Sequence, residues 1–180
     1  MAQPVERPWA LDLLESIVDD ATAWPLKEFM TPEHRSSCDQ ACYECLQRYG
    51  NRSYHGLLDW RLGLSFARAM IDPTHSAGAD GDFSAPELLD WRATAEDALE
   101  RVARGSGDLE VINGAPLPAL RFRRAGGDAV IAIHHPLWRM EGTISPLVTR
   151  FLDGYPGPIR WIDSFELARR PFRAISRLSF

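Results

Sequence analysis

The chain has 180 residues, 45% apolar and 25% charged, and its 25 acids against 20 bases leave a formal charge of −5. That profile fits one ordinary globular domain or two small ones, and it excludes a chain that coats nucleic acid by charge alone, although a local basic patch is compatible with it. No apolar run reaches the roughly 20 residues that cross a bilayer, and residues 1–7 lack the basic-then-apolar order of a signal peptide, so no membrane association and a cytoplasmic location are expected.

Residues 9–23 place Leu11, Leu14, Ile17, Val18 and Ala21 at helical spacing with Asp12, Glu15, Asp19 and Asp20 between them, which predicts an amphipathic helix stopped near Pro25. Of the 20 basic residues 19 are arginine, and the one lysine, Lys27, follows Trp24-Pro25-Leu26 with no glycine-rich loop before it. A phosphate-binding P-loop is therefore absent, and with it the nucleotide-binding lysine that an ATP-driven motor of that type needs.

An irregular stretch through Thr31-Pro32-Glu33-His34-Arg35 then delivers all three cysteines, Cys38, Cys42 and Cys45, in a C-x3-C-x2-C pattern. Zinc prefers four thiolate or imidazole ligands in a tetrahedron, and a C-x2-C turn lets two sulfurs reach one ion while a third arrives from a turn earlier. A fourth ligand is available on either side, His34 four residues before Cys38 or His55 ten residues after Cys45. The other uses of such thiols are a disulfide with one thiol left over, three reduced cysteines, or a Cys42–Cys45 redox pair, which here lacks the strand-to-helix setting of thioredoxin-type sites.

Leu57, Leu58, Leu62, Phe66, Ala69 and Met70 recur in steps of three and four, which predicts a second helix over about 55–71, ended by Asp72-Pro73. The small, polar, glycine-containing stretch 73–83 reads as a linker. Beyond it, Ser84 and Pro86 open a helix expected to run to about Ala103, and strands follow at 109–112, 117–123 and 128–134, with Asn113-Gly114 and Gly126-Gly127 as turns. A further helix over 144–152 and a short strand over 159–162 complete the order helix, three strands, helix, strand. The tail is basic, with Arg169, Arg170, Arg173 and Arg177 against Glu166 alone, and these arginines are the candidate contacts to a DNA backbone.

Within residues 38–62 the pattern runs C-x3-C-x2-C-Leu46, then Tyr49-x-Asn51, then His55 before Leu58-Asp59-x-Arg61. In that order these residues resemble the MrfA-like zinc-binding domain at the C-terminal end of DEAD/DEAH-box DNA helicases, including repair helicases and subunits of phage-defence systems. The resemblance implies that Cys38, Cys42 and Cys45 are zinc ligands, and it puts His55 in the family's histidine position as the fourth, with His34 as the alternative. Some relatives use a further cysteine shortly after the third, whereas residues 47–52 hold none here. Asp59 and Arg61 stand two apart and so point to different helix faces, which favours separate structural hydrogen bonds over a paired contact with nucleic acid.

The expected architecture is α+β: a zinc-stapled helical module over 1–72, a linker over 73–83, a small α/β module over 84–168 and an arginine-rich tail over 169–180. The α/β order is that of the restriction-endonuclease-like core, but the third strand, Asp128-Ala129-Val130-Ile131-Ala132-Ile133-His134, lacks that fold's acid-x-Lys and would make this a catalytically empty copy. His134 and His135 on adjacent strand positions face opposite ways, which favours packing over a shared site. The expected role is a non-catalytic zinc-binding C-terminal accessory domain or subunit of a DEAD/DEAH-box DNA helicase in repair or phage defence, contributing to DNA or partner binding. Its rivals are a metal-dependent nuclease using acids such as Asp128 and Asp163, and a pure protein-interaction module of a defence complex.

Overall fold

The computed structural model describes residues 9–123, 127–140 and 145–177. The chain divides into two compact units, Met1–His75 and Ser76–Phe180, each with its own apolar core.

In the first unit α1 (Trp9–Asp19) packs on α4 (Trp60–Ile71), and between them in sequence lie two short helices, α2 (Leu26–Phe29) and α3 (Pro32–Ser37), and a 3₁₀ helix, Tyr49–Leu57. The core is small: Val18, Leu26, Phe29, Trp60, Leu64 and Ala67, with two of the cysteines, Cys38 and Cys45, buried in it as apolar neighbours. Arg68 ties the two long helices, its guanidinium reaching both the Val18 carbonyl and the Asp19 carboxylate at 2.7 Å, where a cation also suits the C-terminal end of α1. α4 begins at Trp60 rather than near His55 because the Asp59 side chain accepts from Leu62 N–H at 3.0 Å and fixes the helix start there.

The second unit holds α5 (Trp91–Arg104), β1 (Leu109–Val111), β2 (Ala119–Phe122), β3 (Ala129–His134), α6 (Pro146–Gly154), β4 (Ile159–Asp163), α7 (Ser164–Arg169) and α8 (Pro171–Ser176). This is the expected order of helix, three strands, helix and strand, and the whole chain is α+β. The sheet runs β1-β2-β3-β4, antiparallel through the first three strands and parallel between β3 and β4. A parallel pair needs a crossover rather than a hairpin, and α6 supplies it. The first five residues of β3 are buried, so both its faces are covered, as its unbroken apolar run requires. Against the sheet α5 sets Ala95, Ala98, Leu99 and Val102, and each large aliphatic side chain so buried stabilises the unit by about 1.5–3 kcal/mol.

The stretch expected as a linker and the arginine-rich tail are both built into this unit. Ala77 is buried, Phe83 stacks on Trp91 with ring centroids 5.3 Å apart, and Trp138 donates its indole N–H to the Ala77 carbonyl at 2.7 Å. Gly78 makes this possible: its φ is +84°, and a side chain there would enter the Phe83 ring. At the other end the arginine-rich segment forms α7 and α8, which pack on α5 and bury Leu167 and Ala174. The expected helix start at Ile144 and the turn residue Gly126 lie outside the described residues.

Candidate metal centre

Thr31-Pro32 starts α3, with the Thr31 hydroxyl accepting from His34 N–H at 3.2 Å and Pro32 in the first turn. The helix carries His34 to the position one turn before Cys38, and Cys38 caps it by donating its N–H to the His34 carbonyl at 2.8 Å. The chain then turns tightly at Cys42–Cys45, closed by Cys45 N–H and Gln47 N–H donating to the Cys42 carbonyl at 3.2 and 2.9 Å. One ligand atom from each of His34, Cys38, Cys42 and Cys45 lies within 4.8 Å of all the others. The sulfurs of Cys38 and Cys42 stand 3.8 and 3.7 Å from that of Cys45, and all three thiols are free. A disulfide would hold two sulfurs at about 2.05 Å. Two sulfurs on a tetrahedral ion with metal–sulfur bonds of about 2.3 Å stand about 3.8 Å apart, so the spacing is that of ligands to a shared ion.

His34 fits the same reading. Its Nδ1 lies 3.1 Å from the Phe29 carbonyl, which leaves Nε2 as the ring's acceptor, and Nε2 is buried with no hydrogen-bond partner. A carbonyl that holds one ring N–H while the other nitrogen faces outward is the arrangement that orients a metal-ligating histidine. The ring is further fixed by stacking on Phe29, with centroids 5.5 Å apart, and by Trp60 at 5.6 Å.

Burial pushes the Cys38 thiol well above its ordinary value, with the Cys42 hydrogen bond and the charge of Cys45 acting the same way. For Cys42 burial also acts upward, but hydrogen bonds to the Glu44 and Cys45 backbone and to the Cys38 and Cys45 thiols outweigh it and bring the thiol down. Three thiolates crowded in a half-buried pocket repel one another, and a divalent cation between them removes that penalty.

The other residues singled out in the sequence frame this centre without entering it. His55, the expected fourth ligand, turns away from the sulfurs: its Nε2 lies 2.9 Å from both the Arg48 carbonyl and the Asn51 carboxamide oxygen, where it closes the 3₁₀ helix. The structure thus brings the alternative, His34, to the cysteines in its place. Asn51 also accepts from Arg48 N–H at 2.8 Å and donates to the Leu46 carbonyl at 2.9 Å. Arg61 reaches back to the cysteine loop, donating to the Cys38 and Asp39 carbonyls at 3.0 Å, and its guanidinium lies 4.2 Å from the centre of the Trp60 ring. Asp59 caps α4, accepting from Leu62 N–H at 3.0 Å.

In the second unit His134 and His135 also part. The Nδ1 of His134 lies 2.9 Å from the His135 carbonyl, while His135 is buried and its Nδ1 accepts from Leu137 N–H at 3.3 Å. Asp163 pairs with His134 across the sheet and caps α7, accepting from Glu166 N–H at 2.8 Å. Asp128 precedes β3, beside Arg121 at 3.9 Å. The six residues of β3, about 20 Å of extended chain, separate these two acids, so they do not share one ion. Of the four C-terminal arginines, Arg169 lies over the Phe165 ring at 3.5 Å and Arg177 pairs with Glu166 at 3.2 Å, while Arg170 and Arg173 are exposed. Comparison with known proteins returns no match: no family model, no curated protein and no solved structure is similar to this chain.

Proposed function

We propose that the chain is a zinc-binding, non-catalytic accessory module that serves a DEAD/DEAH-box DNA helicase, with the ion held by His34, Cys38, Cys42 and Cys45. The ligand cluster carries the reading: soft sulfurs with one imidazole, at tetrahedral spacing and mostly buried, suit zinc better than the hard cations that prefer oxygen. No open position for substrate is needed, since four protein ligands close the site as in structural zinc centres. The part assigned to a helicase rests on the resemblance of residues 38–62, and its motif residues have work at this centre. Asn51 and His55 close the turn after Cys45, Asp59 starts α4, and Arg61 clamps the backbone of Cys38. The role in repair or phage defence follows from that resemblance alone, and the cytoplasm is the compartment in which free thiols of this kind persist to receive zinc.

Elemental analysis of protein purified without chelator should give one equivalent of zinc per chain, and less than half an equivalent would end the metal part of this reading. Affinity capture of the tagged chain from its own cells should bring down a DEAD/DEAH-box helicase. Its absence from the captured material, with zinc intact, would leave a zinc module with another master.

A further inference from the structure

The 3₁₀ helix after the metal loop buries none of its nine residues, yet it and the loop hold three tyrosines in solvent. Tyr49 is 88% exposed, Tyr43 66% and Tyr54 61%. Such rings are usually spent on a core or an interface, and here they contribute to no core. They belong to one lobe: the Tyr43 ring meets His55 edge-on at 5.5 Å, Arg48 donates to the Tyr43 carbonyl at 3.0 Å, and His55 contacts the Arg48 carbonyl. Tyr49 and Tyr54 adjoin Arg48 and His55 in the chain, and Arg52 between them is exposed and joins no ion pair among the described residues. Residues 43–57 carry two arginines against one acid, Glu44, in a chain whose total charge is −5.

The geometry points to this lobe as a stacking platform for single-stranded nucleic acid, beside the metal and held in shape by it. Tyrosine faces take unpaired bases of any sequence, and the arginines meet the phosphates between them. Bases of a duplex are stacked on each other and hide those faces, which favours a single strand over double-stranded DNA. Charge complementarity with a polyanion, and rings separated by arginine and glycine rather than joined in an apolar groove, distinguish the lobe from a seat for an apolar helix. The proposal deepens the DNA-serving role above and rests on it.

The test uses the full zinc-loaded chain and fluorescence anisotropy with labelled oligothymidylate of about 20 nucleotides, longer than one platform needs, beside a duplex of the same length. The single strand should bind more tightly than the duplex. Tyr49→Ala and Tyr54→Ala should each weaken it about fivefold or more with zinc content unchanged, while Tyr49→Phe, which keeps the ring, should stay within about twofold of the parent. Arg52→Ala should lower the slope of log affinity against log salt by somewhat under one unit. Unchanged affinity in both tyrosine-to-alanine variants would overturn the platform alone, and loss in Arg170→Ala with Arg173→Ala instead would place the DNA contact on α8. Retention of neither DNA form by the parent chain would overturn the platform and the DNA-contacting role together, leaving the tyrosines to a protein partner.

Discussion

The His34 ring is anchored through Nδ1 on the Phe29 carbonyl and by its stack on Phe29, which leaves Nε2 buried and unpartnered in a ring with a nitrogen within 4.8 Å of the three sulfurs. The Nε2 of His55 is instead occupied by Arg48 and Asn51. Removing each ring therefore separates ligand from scaffold: His34→Ala should lower zinc affinity about tenfold to a hundredfold or more, whereas His55→Ala should keep one equivalent of zinc, as read by competition with a chromophoric chelator. Equal loss in the two variants would show that both rings act indirectly. Protons compete with the ion for the same sulfurs. Because burial raises the Cys38 thiol, binding must displace a proton there, and affinity should fall by about tenfold per unit of falling pH for each thiol that must lose a proton on binding. A pH-independent affinity between about pH 6 and 8 would contradict thiolate ligation. The sequence carried a sign of the histidine that lies beside the sulfurs: Thr31-Pro32 is a helix start, and a helix through His34 puts it one turn from Cys38. Linear order within a resemblance pointed to His55 because it says which residues recur and not which way a 3₁₀ turn faces them.

Among the elements, α4 does more than fill the first core. Its start sets Trp60 N–H against the Gln40 carbonyl at 2.9 Å and the Arg61 fork over Cys38 and Asp39, so the loop is braced from outside the ligand set. Arg61→Ala should cost about 1–3 kcal/mol of stability in the first unit and accelerate zinc transfer to a chelator, while Arg61→Lys, with a point charge in place of a fork, should restore little. Unaltered transfer in Arg61→Ala would reduce that contact to ordinary surface. Elements with buried, periodic faces were legible: α1 and the strands fall within a few residues of their expected places, and α5 ends where it was expected to. Starts were less so, because α5 and α4 begin at Trp91 and Trp60 where turns and caps, rather than apolar spacing, decide. The 3₁₀ helix left no trace in hydrophobic pattern, since nothing in it is buried. Packing in the stretch 76–83 was hidden for a related reason: Ala77 and Phe83 are isolated apolar residues in a polar run, and only a tertiary partner, Trp138 or Trp91, gives them a place.

At the scale of the whole molecule, the two cores differ in what supports them. The second holds a four-stranded sheet flanked by helices, with Leu99, Leu117, Leu120, Ile131, Ile133, Phe151 and Leu167 fully buried. The first has few apolar side chains and depends on Cys38 and Cys45 of the candidate metal centre for two of them. A chelator should therefore release amide-exchange protection in Met1–His75 and leave β2, β3 and α5 protected, as followed by hydrogen exchange with mass spectrometry; uniform loss would mean that the units unfold as one. All four ligands lie between residues 34 and 45, a span short enough for a disordered chain to gather around an ion. On the proposed zinc reading, the ion has affinity for the denatured ensemble as well as the native one, and mass action rewards folding only by the difference between them. In zinc-loaded protein, denaturant should dismantle the helices of the first unit before the ion departs, which would let a newly made chain acquire the proposed ion before it has acquired its fold.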